Sequence, residues 1–96
     1  MTPADATKIG SAWLARQPWG DAFQVTTVRL ESNLAIVFWT AKNGERIAGN
    51  APLLIDAKTG AVHSTGTAKP IRHYIENLHV TGDPHLEPAA LKQRLV

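Results

Sequence analysis

The first seventeen residues place Ala6, Ile9, Trp13 and Gln17 on one helical face, and Leu14 widens its apolar part. That spacing predicts an N-terminal amphipathic helix. Thr2 suits the N-cap, Pro3 the first helical position, and Asp5, three residues after the cap, makes a near capping box. Pro18 ends the helix, because the residue before a proline avoids the α region. Trp19-Gly20 then turns the chain.

The period changes from there. FQVTTVRL, residues 23–30, is rich in β-branched side chains and predicts a strand. Its alternation slips midway: Phe23 and Val25 share one phase, Val28 and Leu30 the other. One extra residue near Thr26-Thr27, a β-bulge, reconciles them. Ser32-Asn33 predicts a tight reversal into LAIVFWTA, residues 34–41, which is apolar on both faces as a central strand should be. Lys42-Asn43-Gly44-Glu45 predicts a hairpin with Asn43-Gly44 in a type I′ turn and Lys42 facing Glu45. Gly49-Asn50 breaks the strand that follows. Pro52 opens the next, whose core is Leu53, Leu54 and Ile55.

Asp56 is placed to accept hydrogen bonds from the turn Ala57-Lys58-Thr59, and Gly60 supplies a left-handed residue. Val62-His63 return as a short strand. After Gly66, Thr67 is the expected cap of a second helix with Pro70 in its first turn. Ile71, Tyr74, Ile75 and Leu78 form an i, i+3, i+4, i+7 stripe that must bury against the sheet. Gly82, Pro84 and Pro88 then break the pattern. The expected division is a single domain over 1–80 and a C-terminal arm over 81–96, mobile or carrying a short helix from Pro88 to Leu95.

Composition narrows the class. Ninety-six residues, 44% apolar and 19% charged, suit one globular domain with one core. The net charge is +2 and no three basic residues are consecutive, so a nucleic-acid footprint is not expected. With no cysteine, neither a disulfide framework nor a thiolate metal site is available. The opening MTPADATK lacks the basic-then-apolar order of a secretory signal, and no apolar run approaches a membrane span. A cytoplasmic protein with no membrane partner is the expectation.

Candidate chemistry is sparse. His63, His73, His79 and His85 form no HxxxH pair and no thiol accompanies them, so no metal and no cofactor is expected. Asp56, His63 and Ser64 are the residue types of a hydrolase triad, but G-x-S-x-G is missing and Asp56 serves its turn. Gly60 and Gly66 fit neither Walker nor GxGxxG spacing. Trp13 and Trp39 sit on core-facing positions, while Trp19, between a proline and a glycine, is the tryptophan expected at the surface. Arg29, Lys42, Glu45 and Arg46 are expected to cluster at one end of the meander. There they form either a solvated rim or, with Trp19, a mixed-charge recognition surface.

Residues 47–70 hold a proline-opened strand, a glycine-closed turn, a short return strand and a threonine-proline helix start. All of this is backbone geometry, which argues for a binding domain and against an enzyme. The cassette GNAPLLIDAKTGAVHSTGTAKPIRHYI resembles the signature region of the YrhB-type domain, or immunity protein 35 family. It matches at Ala48, Gly49, Asn50, Ala51, Pro52, Ile55, Asp56, Gly60, Gly66, Thr67, Ala68, Pro70 and Tyr74. The resemblance covers about the middle third of the chain and identifies scaffold residues, so no binding site transfers with it. It implies a small cytoplasmic bacterial protein of polymorphic-toxin systems that protects its producer by binding a cognate toxin. Chaperone-like binding of exposed apolar client segments is the alternative.

The expected architecture is therefore α+β: an N-terminal helix, an antiparallel meander of four to five strands, and a second helix packed on the sheet. Both helices are expected on one sheet face, leaving the other face, an edge and the tip near Lys42–Arg46 for a partner. Arg29 and Arg46 are the anchor candidates, since a planar guanidinium pairs bidentately with a carboxylate.

Overall fold

The computed structural model describes residues 1–44 and 51–89. Within them the order is α1 (Pro3–Ala15), a 3-10 turn (Gly20–Ala22), β1 (Phe23–Glu31), β2 (Leu34–Ala41), β3 (Leu53–Asp56), β4 (Val62–His63) and α2 (Ile71–Thr81). The strands form one antiparallel sheet in the order β1-β2-β3-β4. The fold is the α+β arrangement expected from the periodicity. A further strand before Gly49-Asn50 lies outside the described residues, as do Glu45 and Arg46.

Helix α1 starts with a complete capping box. The Asp5 amide donates to Thr2 Oγ1 and the Thr2 amide to Asp5 Oδ2, each at 3.1 Å. Two orphan amides of the first turn are satisfied that way. The helix ends at Ala15, and the Gln17 amide closes on the Leu14 carbonyl at 3.0 Å.

The slipped alternation of β1 is a bulge at Thr26. Val25 pairs with Trp39 and Thr27 with Phe38, so Thr26 is the additional residue. Its hydroxyl donates to the Phe38 carbonyl at 3.3 Å. The insertion returns Phe23, Val25, Val28 and Leu30 to one face, because each then pairs with an odd-numbered residue of β2.

Strand β2 organises two cores. Ala35, Val37 and Trp39 point to one face, where Ala6 and Leu14 of α1 meet them together with Leu53 and Ile55. Leu34 and Ile36 point to the other, where Leu54, Tyr74 and Ile75 close a second cluster. The helices therefore cover opposite faces of the sheet, which corrects the expectation of a single covered face. A strand apolar at every position needs cover on both sides, since each fully buried aliphatic side chain is worth about 1.5–3 kcal/mol.

Two local expectations are also revised. Thr67 does not cap α2: the helix begins at Ile71, and Pro70, with φ −60° and ψ 150°, takes the N-cap position without a side-chain hydrogen bond. Pro70 keeps Lys69 from α geometry, so no helix can run from Thr67 through it. The turn after β2 centres on Lys42-Asn43, with the Gly44 amide bonded to the Ala41 carbonyl at 3.1 Å and Gly44 at φ 78°. It lies one residue earlier than the type I′ reading placed it. Residues 82–87 are tied to the domain. Asn77, buried in α2, donates to the Pro84 carbonyl at 3.0 Å, and His85 Nε2 lies 2.9 Å from the Ser64 carbonyl. The Pro88–Leu95 segment lies mostly outside the described residues.

The middle cassette folds back on itself. Asp56 Oδ1 accepts from the amides of Lys58 and Thr59 at 2.8 and 3.1 Å, and Gly60 has the left-handed φ of 75° that the return needs. Thr65 donates to the Pro52 carbonyl at 2.6 Å. Gly66 lies so near the Tyr74 hydroxyl that a Cβ there would sit 2.8 Å from it.

Candidate functional site

Two ends of the β1-β2 hairpin separate the residues that the sequence suggested would cluster. Arg29 pairs with Ile36, near the Ser32-Asn33 reversal, whereas Lys42 follows Ala41, the partner of Phe23, at the far end. Lys42 is six residues along the chain from Ile36, roughly 20 Å of strand. Arg29 and Lys42 therefore do not share a surface.

Trp19 is found at the Lys42 end. Its indole stacks on that of Trp39, with centroids 5.5 Å apart and planes 18° from parallel. Trp13 and Phe23 meet it edge-on at 6.2 and 5.2 Å, and Phe23 also meets Trp39 edge-on at 5.0 Å. Trp39 is buried, and its Nε1 donates to the Ala51 carbonyl at 2.8 Å, which fixes the ring below Trp19. Trp19 remains 42% exposed. The result is a large apolar surface held rigidly from beneath, with edge-to-face contacts of the kind aromatic quadrupoles favour.

The loop carrying Trp19 is held by backbone contacts. The Gly20 amide donates to the Gln17 carbonyl at 3.0 Å, and the Lys42 amide donates to the Ala22 carbonyl at 2.9 Å. Beside the stack, Ser11, Asp21, Phe23, Gln24 and Lys42 border an open depression of about 260 Å³. An exposed tryptophan held in place by aromatic rings beneath it has the character of a protein-docking anchor. Sequence reading placed Trp19 at the surface. It did not bring together Trp13, Phe23 and Trp39, whose convergence depends on the bulge and the strand register.

At the other end, Arg29 lies over the Phe38 ring, 5.9 Å from its centroid, and its Nε is 3.9 Å from Glu31 Oε2. Glu31 is held chiefly by Arg72 of α2, through both guanidinium Nη atoms. That pairing keeps the Glu31 carboxyl below its ordinary range.

The histidines are dispersed into structural contacts. His73 Nε2 is 2.6 Å from Glu87 Oε1, which Lys69 also approaches at 3.3 Å. His63 pairs with Leu54 across the sheet. Among the described residues, no three histidines and carboxylates gather as a metal-ligand set. Asp56 is engaged by its own turn, and its carboxyl is lowered by those two amides. No helix among the described residues is long and apolar enough to cross a membrane.

Comparison with known proteins gives one partial likeness. The chain is 44% identical over 41 residues to a protein described as "Uncharacterized protein YrhB" from Escherichia coli strain K12. The shared stretch covers 43% of this chain and 44% of that protein, under half of either. No family model matches the sequence, and no solved structure matches it.

Proposed function

We propose that this chain is a cytoplasmic immunity protein of the immunity protein 35 type, which neutralises a cognate bacterial toxin by binding it directly. The reading rests on the cassette from Gly49 to Tyr74 and on the partial likeness to YrhB, a protein described as uncharacterised. The observation that carries it is Trp19, an exposed indole stacked on the buried Trp39 and met edge-on by Trp13 and Phe23. Immunity requires a tight grip on one partner from a small surface. A few rigid aromatic anchors with a polar rim supply most of the energy in such interfaces. The paired arginine anchor gives way to this site, since Arg29 lies at the other end of the hairpin and Arg46 lies outside the described residues.

The test is co-expression with the product of the adjoining gene, followed by co-purification and measurement of affinity. Wild-type protein is expected to bind that product and to protect cells from it. Trp19→Ala combined with Lys42→Glu should weaken binding by at least about 2 kcal/mol, the hot-spot scale, while cooperative unfolding in urea is retained. Unchanged affinity in a folded double variant would move the docking surface elsewhere. If the adjoining product is not bound, and unrelated unfolded proteins are kept from aggregating instead, the immunity reading fails in favour of a chaperone-like one.

A further inference from the structure

The turn after β2 carries a reactive pair of residues. The chain has four asparagines, and their followers differ: Leu34 after Asn33, Gly44 after Asn43, Ala51 after Asn50 and Leu78 after Asn77. An asparagine closes into a ring when the next backbone nitrogen attacks its side-chain carbonyl carbon. A Cβ on the following residue crowds that nitrogen and restricts its approach. Glycine has none, so the attack is least hindered at Asn43.

The fold separates these asparagines further. Asn43 and Gly44 are both exposed, just past the end of β2. Asn77 is buried, and its side-chain amide donates to the Pro84 carbonyl at 3.0 Å, which fixes it in the interior. Asn33 is exposed, but the nitrogen that would attack it belongs to Leu34, a buried residue held in β2 opposite Glu31.

One contact opposes the reaction. The Gly44 amide donates to the Ala41 carbonyl at 3.1 Å, and that bond must open before the nitrogen can turn toward the Asn43 side chain. A backbone hydrogen bond is worth little net, because water takes its place when it opens. It therefore slows the attack by roughly tenfold and does not forbid it.

We propose that Asn43 is a self-modifying site, converting to aspartate and isoaspartate through a cyclic imide formed with Gly44. The Gly44 nitrogen gives its proton to solvent and bonds to Asn43 Cγ. The bond from Cγ to Nδ2 breaks, and that nitrogen leaves as ammonia. Water then opens the imide: attack at Cγ gives aspartate, and attack at the main-chain carbonyl carbon gives isoaspartate, whose backbone runs through Cγ. Net, a water is consumed and an ammonia released. Either product sets a carboxylate next to Lys42, which borders the depression beside the Trp19 stack, and lowers the net charge of +2 by one unit. The conversion needs no toxin, so it holds or fails apart from the immunity reading.

The test is timed incubation of the full chain at physiological temperature and pH, with peptide mapping by mass spectrometry and isoaspartate detection at every asparagine. A synthetic peptide of residues 40–47 gives the rate of the unrestrained reaction. Conversion is expected at Asn43 before any other asparagine, as a mixture of both products, no more than roughly tenfold slower than in the peptide and faster as pH rises. Asn43→Gln should abolish it, because the longer side chain must close a larger, slower-forming ring. Gly44→Ala should slow it several-fold, with folding of both variants checked by urea unfolding. A rate in the folded chain further below the peptide's than one hydrogen bond allows overturns the proposal, as does earlier conversion at Asn33, Asn50 or Asn77.

Discussion

Replacing Gly20 with alanine is the sharpest probe of how the Trp19 loop is built. A Cβ at position 20 would sit 1.7 Å from the Leu14 carbonyl oxygen and 2.6 Å from its carbon. Both atoms belong to the backbone of the last turn of α1, so neither can swing aside as a side-chain tip does. The loop must retreat from the helix by more than an ångström, breaking the Gly20 amide bond to Gln17 and lifting Trp19 from Trp39. Overpacking of this kind costs about 1–3 kcal/mol, and loss of the stack adds to it, so a total near 3 kcal/mol is expected. For a domain of this size that lowers the melting temperature by roughly 10–20 °C. Thermal unfolding by far-ultraviolet circular dichroism measures it. Gly10→Ala is the control: its Cβ would meet side-chain methyls of Val37 and Val25 at 3.0 and 3.3 Å. There a gain in helix propensity opposes the crowding, and a net change within about 1 kcal/mol is expected. Melting of Gly20→Ala within about 2 °C of wild type would refute the close-approach argument.

Gly60→Val places a β-branched residue at φ 75° and should cost on the order of 1–2 kcal/mol, read as a lower urea midpoint; an unchanged midpoint would contradict the turn assignment. Acid should destabilise the fold through four carboxyls held below their ordinary values, 3.8 for Asp5 and Asp56 and 4.5 for Glu31 and Glu87. Their main causes are the Thr2 amide for Asp5, Arg72 for Glu31, the Lys58 and Thr59 amides for Asp56, and His73 for Glu87. Depressed carboxyls bind fewer protons folded than unfolded, so their contribution is complete above the ordinary values and disappears as pH falls through the lowered ones. Urea midpoints should therefore hold from about pH 7 to pH 5 and drop below about pH 4; a flat profile would count against these contacts. Dialysis against a chelator should leave the melting temperature and any partner binding unchanged, whereas stoichiometric zinc in the purified protein would disprove that expectation.

Local geometry was legible where a residue type has one backbone role. Thr2 with Asp5, the slipped phase at Thr26, the Asp56–Gly60 turn and the Ile71–Leu78 stripe each follow from chemistry within a few residues. The two covered faces were also written in β2, whose even and odd positions are both apolar. Helical stripes do not state which face they seek, so the pattern alone does not send α1 and α2 to opposite sides. Arg29 and Lys42 look adjacent because each lies near a turn, yet hairpin register sends them to opposite ends. Gly20 carries no local sign of its importance. Its contact with Leu14 arises only because the chain returns across the end of α1. The bonds that hold Pro84 and His85 likewise join segments whose meeting no periodicity encodes.

The near-parallel indoles of Trp19 and Trp39 have an optical consequence. Transition dipoles held 5.5 Å apart in a fixed orientation couple, and the coupling gives a paired band in ultraviolet circular dichroism, strongest at the intense short-wavelength indole transition. Trp13, turned 65° to Trp19 at 6.2 Å, adds a second and differently oriented interaction. A molecule that settles on Trp19, or lifts it, must alter that spectrum. The domain thus carries an unlabelled spectroscopic gauge at its most exposed aromatic residue, readable with purified protein alone.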